Sequence, residues 1–145
     1  VILQFPMWWF SVPAILKGWI DRVFTNGFAH GPAVPPPYSE GALAGRRALV
    51  SVTIGARESA FSDRGIHGRL AAVLHPVQHG LFWFTSMTPL ELFAVYGTVD
   101  LPKERFAAAK REYGGGSTGS SRTSRSRSGR SSAATTTATC GCCRG

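Results

Sequence analysis

The sequence predicts an α/β domain: a doubly wound parallel sheet whose N-terminal strands are expected to be missing from this chain. Three observations carry that expectation. The chain opens on a short apolar run, residues 1–5, stopped by Pro6 and followed within a few residues by a helical pattern. Two further strand-like runs, at 46–53 and 90–97, are each followed by helical periodicity. Strand, helix, strand, helix, strand, helix, joined by right-handed crossovers, is the second half of such a sheet.

Each element has its own reason. Residues 1–5 read as a central strand covered on both faces, and residue 1, a valine, already lies inside it. From Ser11 the period changes. Ser11 can cap a helix, Pro13 suits its first turn, and Ile15, Leu16, Trp19, Ile20, Val23 and Phe24 share one stripe. Between strand and helix stand Trp8, Trp9 and Phe10, three adjacent aromatics that cannot all enter one core. At least one is expected to face a ligand or partner, the alternative being that the tryptophans pack the helix onto the sheet.

Thr25-Asn26-Gly27 is a turn signal, and residues 31–45 carry Pro32, Pro35, Pro36 and Pro37, which predicts a long loop. The next strand, 46–53, is β-branched and apolar after a charged start. Its carboxyl end meets a second loop, 54–61, on the same edge as the Trp8 corner, so two strand ends build one crevice. Residues 70–84 are apolar at helical spacing. Pro76 interrupts them and Gly80 weakens them, which predicts a kink or an early stop. His75 and His79 would share a helical face, but no carboxylate or cysteine lies within a turn, and no metal site is expected. Residues 90–97 read as an edge strand ending at Gly97. Asp100 is then the expected cap of a last helix with Pro102 in its first turn.

The run Gln4-Phe5-Pro6, Trp9-Phe10, then Val12-Pro13-Ala14-Ile15-Leu16-Lys17-Gly18-Trp19 and Arg22-Val23-Phe24 closely resembles the flavodoxin-like NAD(P)H:quinone oxidoreductases, in their DT-diaphorase-like branch. A second block, Gly65-Ile66-His67-Gly68, stands at that family's spacing, and together the matches cover roughly residues 1 to 112. The resemblance implies a flavodoxin-like fold and a homodimeric flavoprotein that passes hydride from NAD(P)H through FAD to a quinone, FMN being the alternative flavin. With no signal-peptide pattern and no long apolar span in the sequence, a cytoplasmic location is the default expectation. The resemblance places Pro6, Met7, Trp8, Trp9, Phe10, Thr53, Ile54, Gly55 and Ala56 around the flavin ring. It places Phe28, His30 and Phe84 against substrate, with the proline-rich loop and Phe84 serving the other subunit's site.

The resemblance also locates the chemistry. In the family a tyrosine hydroxyl and a histidine stabilise charge developing on the reduced flavin. His67 matches the histidine, whereas the tyrosine position is Phe61, which has no hydroxyl. Ala56 replaces a glycine and is compatible with close backbone approach only at negative φ. His30 read without the resemblance is a solvated loop histidine, and His67 a cap for the helix that follows it.

Charge and the tail complete the reading. Five arginines (Arg122, Arg125, Arg127, Arg130, Arg144) and no acid lie beyond Tyr113, so the first 113 residues carry a net of only +3. Nothing in that part calls for a nucleic-acid or membrane partner. Residues 114–145 are almost entirely Gly, Ser, Arg, Thr and Ala and are expected to be a disordered, non-native tail. Cys140, Cys142 and Cys143 imply neither a disulfide framework nor a zinc site. No phosphate-cradling turn precedes residue 53, so the flavin-phosphate loop is expected upstream of Val1. The reading of a different class is a non-catalytic remnant or regulatory subunit of the same fold, motivated by Phe61, the missing loop and the tail.

Overall fold

The structure is a computed structural model that describes residues 1–38 and 40–116. Residues 114–116, expected to open a disordered tail, instead end the last helix, and the remaining expectations for the tail and its cysteines lie outside the described residues. Strand β2 (Arg47–Ile54) is the middle of a parallel sheet. On one side it pairs with β1 (Ile2–Pro6), from Ile2 opposite Leu49 to Pro6 opposite Thr53. On the other it pairs first with β3 (Thr88–Pro89) and then, from Ser51 opposite Phe93 to Ile54 opposite Tyr96, with β4 (Phe93–Tyr96). The expected third strand is thus one line broken in two. All carboxyl ends arrive at one edge, which is where the two aromatic-rich loops leave the sheet.

The alternation of β2 decides the core. Ala48, Val50, Val52 and Ile54 are buried on one face beside Leu3 and Phe5 of β1. Over that face lie Ile20 of helix α1 (Ala14–Val23) and Leu70, Leu74, Val77 and Phe82. Phe82 and Leu74 are almost wholly enclosed, and side chains of this kind each contribute about 1.5–3 kcal/mol by leaving water. Helix α4 (Lys103–Gly116) is mostly exposed and touches the sheet through Tyr113, whose ring centroid lies 5.1 Å from that of Phe93. Parallel strands linked through helices form the α/β sheet that was expected.

Several elements differ from expectation. β1 is not covered on both faces: Leu3 and Phe5 are buried, but Ile2 is 56% exposed, and among the described residues β1 pairs with β2 alone. Ser11 does not cap α1. Its backbone is engaged with Trp8, and the helix starts from Pro13, whose carbonyl accepts the Lys17 N–H at 3.0 Å with no side-chain cap. Of the apolar stripe on α1 only Ile20 is buried, because the helix meets the sheet along a single line; Ile15 is 86% exposed. A Lys17–Asp21 ion pair at 2.8 Å braces the solvent side.

The kink near Pro76 is a full break. The segment divides into α2 (Leu70–Val73), α3 (His75–Val77) and one π-helical turn over Gln78–Trp83, closed by the Phe84 N–H to the His79 carbonyl at 3.0 Å. Proline has no N–H to continue the ladder, so the chain restarts with Pro76 in the first turn of α3. Asp100 sits in a 3-10 turn (Thr98–Asp100), and α4 starts from Pro102, whose carbonyl accepts the Phe106 N–H at 3.0 Å.

The proline-rich loop forms neither helix nor strand, yet it is fastened down. The N–H groups of Tyr38, Gly41 and Leu43 donate to the Phe84 carbonyl, the Ser86 hydroxyl and the Thr85 carbonyl at 3.2, 2.7 and 3.2 Å. Among the described residues no helix is long and apolar enough to cross a membrane.

Candidate functional site

The site is assembled where β1 and β2 end side by side. Pro6 is opposite Thr53, and the Met7 N–H extends the pairing by donating to the Thr53 carbonyl at 2.9 Å. Immediately beyond, the chain reverses. Trp8 and Ser11 exchange backbone hydrogen bonds of 3.1 and 3.0 Å, which throws the two residues between them outward. Trp8 and Phe10 are about half exposed and Trp9 is 95% exposed. Of the two readings for this aromatic corner, packing of the helix onto the sheet is therefore not the role of Trp9.

The loop after β2 comes up against this corner. Gly55 and Ala56 lead into a 3-10 turn, Glu58–Phe61, and Ala56 has negative φ, which meets the condition for backbone approach. A side chain at Gly55 would press on Val99 at 3.3 Å, so the glycine keeps the surface flat. Ile54 is buried and faces the core, so only its backbone reaches the crevice. Residues 62–68 then fold back tightly. The His67 N–H donates to the Ala60 carbonyl at 2.9 Å, and an Asp63–Arg69 ion pair at 2.7 Å spans the loop base.

Three rings join the two loops. Phe10 meets His67 edge to face with centroids 4.9 Å apart, His67 meets Phe61 at 5.0 Å, and Phe10 lies 6.5 Å from Phe61. The imidazole ring nitrogens of His67 form no hydrogen bond within the described residues, so they are available to a ligand. His67 does not cap α2, which has Arg69 before it and no side-chain cap. Phe61 is buried and belongs to the core cluster, so it supports the imidazole from behind.

The expected substrate residues form a second group. His30 and Phe84 approach with ring centroids 6.3 Å apart, while Phe28 stands half exposed and meets no ring among the described residues. No ring contact among the described residues joins this group to Phe10, Phe61 or His67. Sequence reasoning missed Tyr38, which sits at φ 74° and packs on Phe84, Trp83 and His79 with centroids 5.6, 5.3 and 5.8 Å away. The available signal was a lone aromatic directly after three prolines. It also missed Tyr96, whose ring lies 6.0 Å from Phe61 at the carboxyl end of β4. Burial, and secondarily the negative charge of Glu58, push the Tyr96 phenol above its ordinary value. An open groove of about 760 Å³ follows the β3–β4 edge between Leu70, His75, Leu92 and Glu112, and touches the ring cluster only through Tyr96.

A flavin ring system suits this surface. The exposed indole of Trp9, the flat backbone at Gly55 and the free imidazole nitrogens of His67 are what a planar heterocycle with carbonyl acceptors requires. Comparison with known proteins bears on the fold and the family. A family model described as a flavodoxin-like fold matches residues 1–115. The chain is 43% identical over 104 residues to NAD(P)H dehydrogenase [quinone] 1 of Cavia porcellus, covering 72% of this chain and 37% of that one. It is 49% identical over 90 residues to ribosyldihydronicotinamide dehydrogenase [quinone] of Homo sapiens, covering 62% and 38%. The chain thus spans well under half the length of these curated relatives. Among solved structures, general stress protein 14 of Treponema denticola in complex with FMN superposes with a TM-score of 0.63 at 28% identity, over 79% of this chain and 62% of that one.

Proposed function

The chain belongs to the flavodoxin-like family that includes the quinone-directed NAD(P)H dehydrogenases, and from that membership we propose that it is part of a flavin-dependent NAD(P)H dehydrogenase of quinones. A bound flavin supplies the acceptor for a two-electron hydride transfer from NAD(P)H and the donor for its delivery to the quinone. FAD is the proposed form, with FMN the alternative. The observation that carries the reading is the His67 imidazole, in contact with both Phe10 and Phe61 beside the open Trp9–Phe10 surface, its ring nitrogens unengaged among the described residues.

Each residue has a defined task. Trp9 and Phe10 present ring surface to the isoalloxazine, and Pro6, Met7 and Trp8 set its outer limit. Thr53, Ile54, Gly55 and Ala56 offer backbone at the edge where β2 ends. His67 donates a hydrogen bond toward the side of the ring where negative charge gathers on reduction. His30, Phe84 and Phe28 stand apart from this cluster, and in the proposed homodimer they wall the partner's site. NAD(P)H and quinone bind there in turn, in a cytoplasmic enzyme.

The second reading, a non-catalytic member of the fold, is favoured by one observation: Phe61 brings a buried ring and no hydroxyl to the position behind His67. Titrating the protein with FAD and with FMN while following flavin fluorescence tests binding. Anaerobic bleaching by NADH or NADPH, with reoxidation by a quinone, then tests turnover. Binding without bleaching selects the non-catalytic reading, and sedimentation of the flavin-loaded protein as a fully active monomer defeats the shared site.

A further inference from the structure

Trp9 and Phe10 are the two central residues of a reverse turn closed on itself by the paired Trp8–Ser11 backbone bonds. Both have positive φ, 50° and 60°. That is the type I′ arrangement, which nature fills with Asn-Gly because both positions need the left-handed region. Large aromatic residues are strained there, since Cβ crowds the neighbouring carbonyl.

The core does not ask for this strain. Trp9 is 95% exposed and meets no other ring among the described residues, so its burial offsets nothing. Phe10 is different. It meets the His67 imidazole edge to face at 4.9 Å, and with Phe61, 5.0 Å from the imidazole and 6.5 Å from Phe10, it closes a triangle of rings around a side chain whose orientation no hydrogen bond among the described residues fixes. An Asn-Gly turn would keep the chain path and leave Phe61 as the imidazole's one ring contact among the described residues.

We infer that Phe10 is a positioning residue for His67: the strained turn holds its ring against the imidazole and so aims the ring nitrogens into the crevice, while Trp9 is left open for the planar ligand. The inference rests on the flavin reading for what the imidazole is aimed at. The orienting contact itself does not depend on it. Turning φ positive at two aromatic positions is the local cost of placing a ring from the β1 corner onto a side chain from the β2 loop.

The test uses the whole chain with four substitutions and three readouts. Trp9→Asn, which suits the left-handed position, should raise the melting temperature by roughly 4–8 °C and leave the His67 ring-proton resonances where they are. A lowered melting temperature in Trp9→Asn would overturn the strain. Phe10→Gly should move the His67 resonances toward those of a free imidazole and weaken flavin affinity roughly three- to tenfold, the worth of one aromatic contact. Phe10→Leu keeps apolar bulk without a ring and should do the same, so that a misfolded glycine variant does not leave the matter open. Phe10→Tyr should restore both readouts. Unchanged His67 resonances in Phe10→Gly and Phe10→Leu would overturn the positioning role, whatever happens to flavin. If wild type bound no flavin while those resonances still moved, the positioning would stand and the flavin reading would fall.

Discussion

The backbone N–H of His67 donates to the carbonyl of Ala60 at 2.9 Å, and this bond closes the loop that carries the imidazole back onto the 3-10 turn that carries Phe61. The closure depends on Gly65. A Cβ there would fall against the Ala60 carbonyl and lie 2.7 Å from the Ser59 carbonyl, and backbone cannot give way as a flexible side chain can. Gly65→Ala should therefore destabilise the fold by about 1–3 kcal/mol, the range for overpacking. Flavin affinity should fall with it, because His67 moves. Equal denaturant midpoints for variant and wild type would show that the loop relaxes freely.

The proline-rich loop depends on a different contact. Ser86 is buried at φ 70°, and its hydroxyl accepts the Gly41 N–H at 2.7 Å. Ser86→Ala leaves that N–H without a partner in a buried place and should cost about 1–3 kcal/mol. Gly41→Ala meets the same hydroxyl from the other side and should cost a similar amount. Urea unfolding of both variants checks this. A loss below a few tenths of a kcal/mol would mean the loop is not fastened through this pair.

Much of this was legible in the sequence, and the parts that were not share a cause. The parallel strand order, the break at Pro76 and the meeting of two strand ends follow from period, proline placement and crossover handedness, all of which are local or nearly so. The half-open face of β1 and the exposed stripe of α1 were misread, because periodicity says which residues share a face and not whether anything covers it. Ser11 looked like a cap because its type fits one, but its backbone was claimed by Trp8 across a turn no local preference predicts. Tyr38 and Tyr96 were missed because each acquires its neighbours from segments more than thirty residues away in the chain.

Tyr96 gives the structure an alkaline limit. Burial first and the charge of Glu58 second raise its phenol above the ordinary value near 10. A folded-state value above the unfolded one means the unfolded chain ionises first, so the stabilisation is complete below pH 10 and is lost as pH rises through the folded-state value. Tyr96→Phe removes this contribution. The variant should lose stability less steeply than wild type above pH 10, with little difference at pH 7. Parallel curves of unfolding free energy against pH for the two proteins would show that Tyr96 does not feel its surroundings.

The chemistry proposed for His67 and Phe61 can be read directly in the rate of flavin reduction. If the imidazole alone supplies a hydrogen bond to the reduced flavin, His67→Ala should slow flavin reduction by NAD(P)H by about 10²-fold, the worth of one well-placed donor. Phe61→Tyr should act in the opposite direction by adding a hydroxyl as a second donor, but its gain is limited by where Phe61 sits. The ring is buried, 5.0 Å from His67 on one side and 6.0 Å from Tyr96 on the other, so a new oxygen needs space that the core does not offer freely. A faster but less stable protein is the expected result, read by stopped-flow bleaching and thermal melting of the same sample. Bleaching rates that do not change in either variant, with flavin bound as tightly as in wild type, would remove these two residues from the chemistry and leave them as packing for the loop.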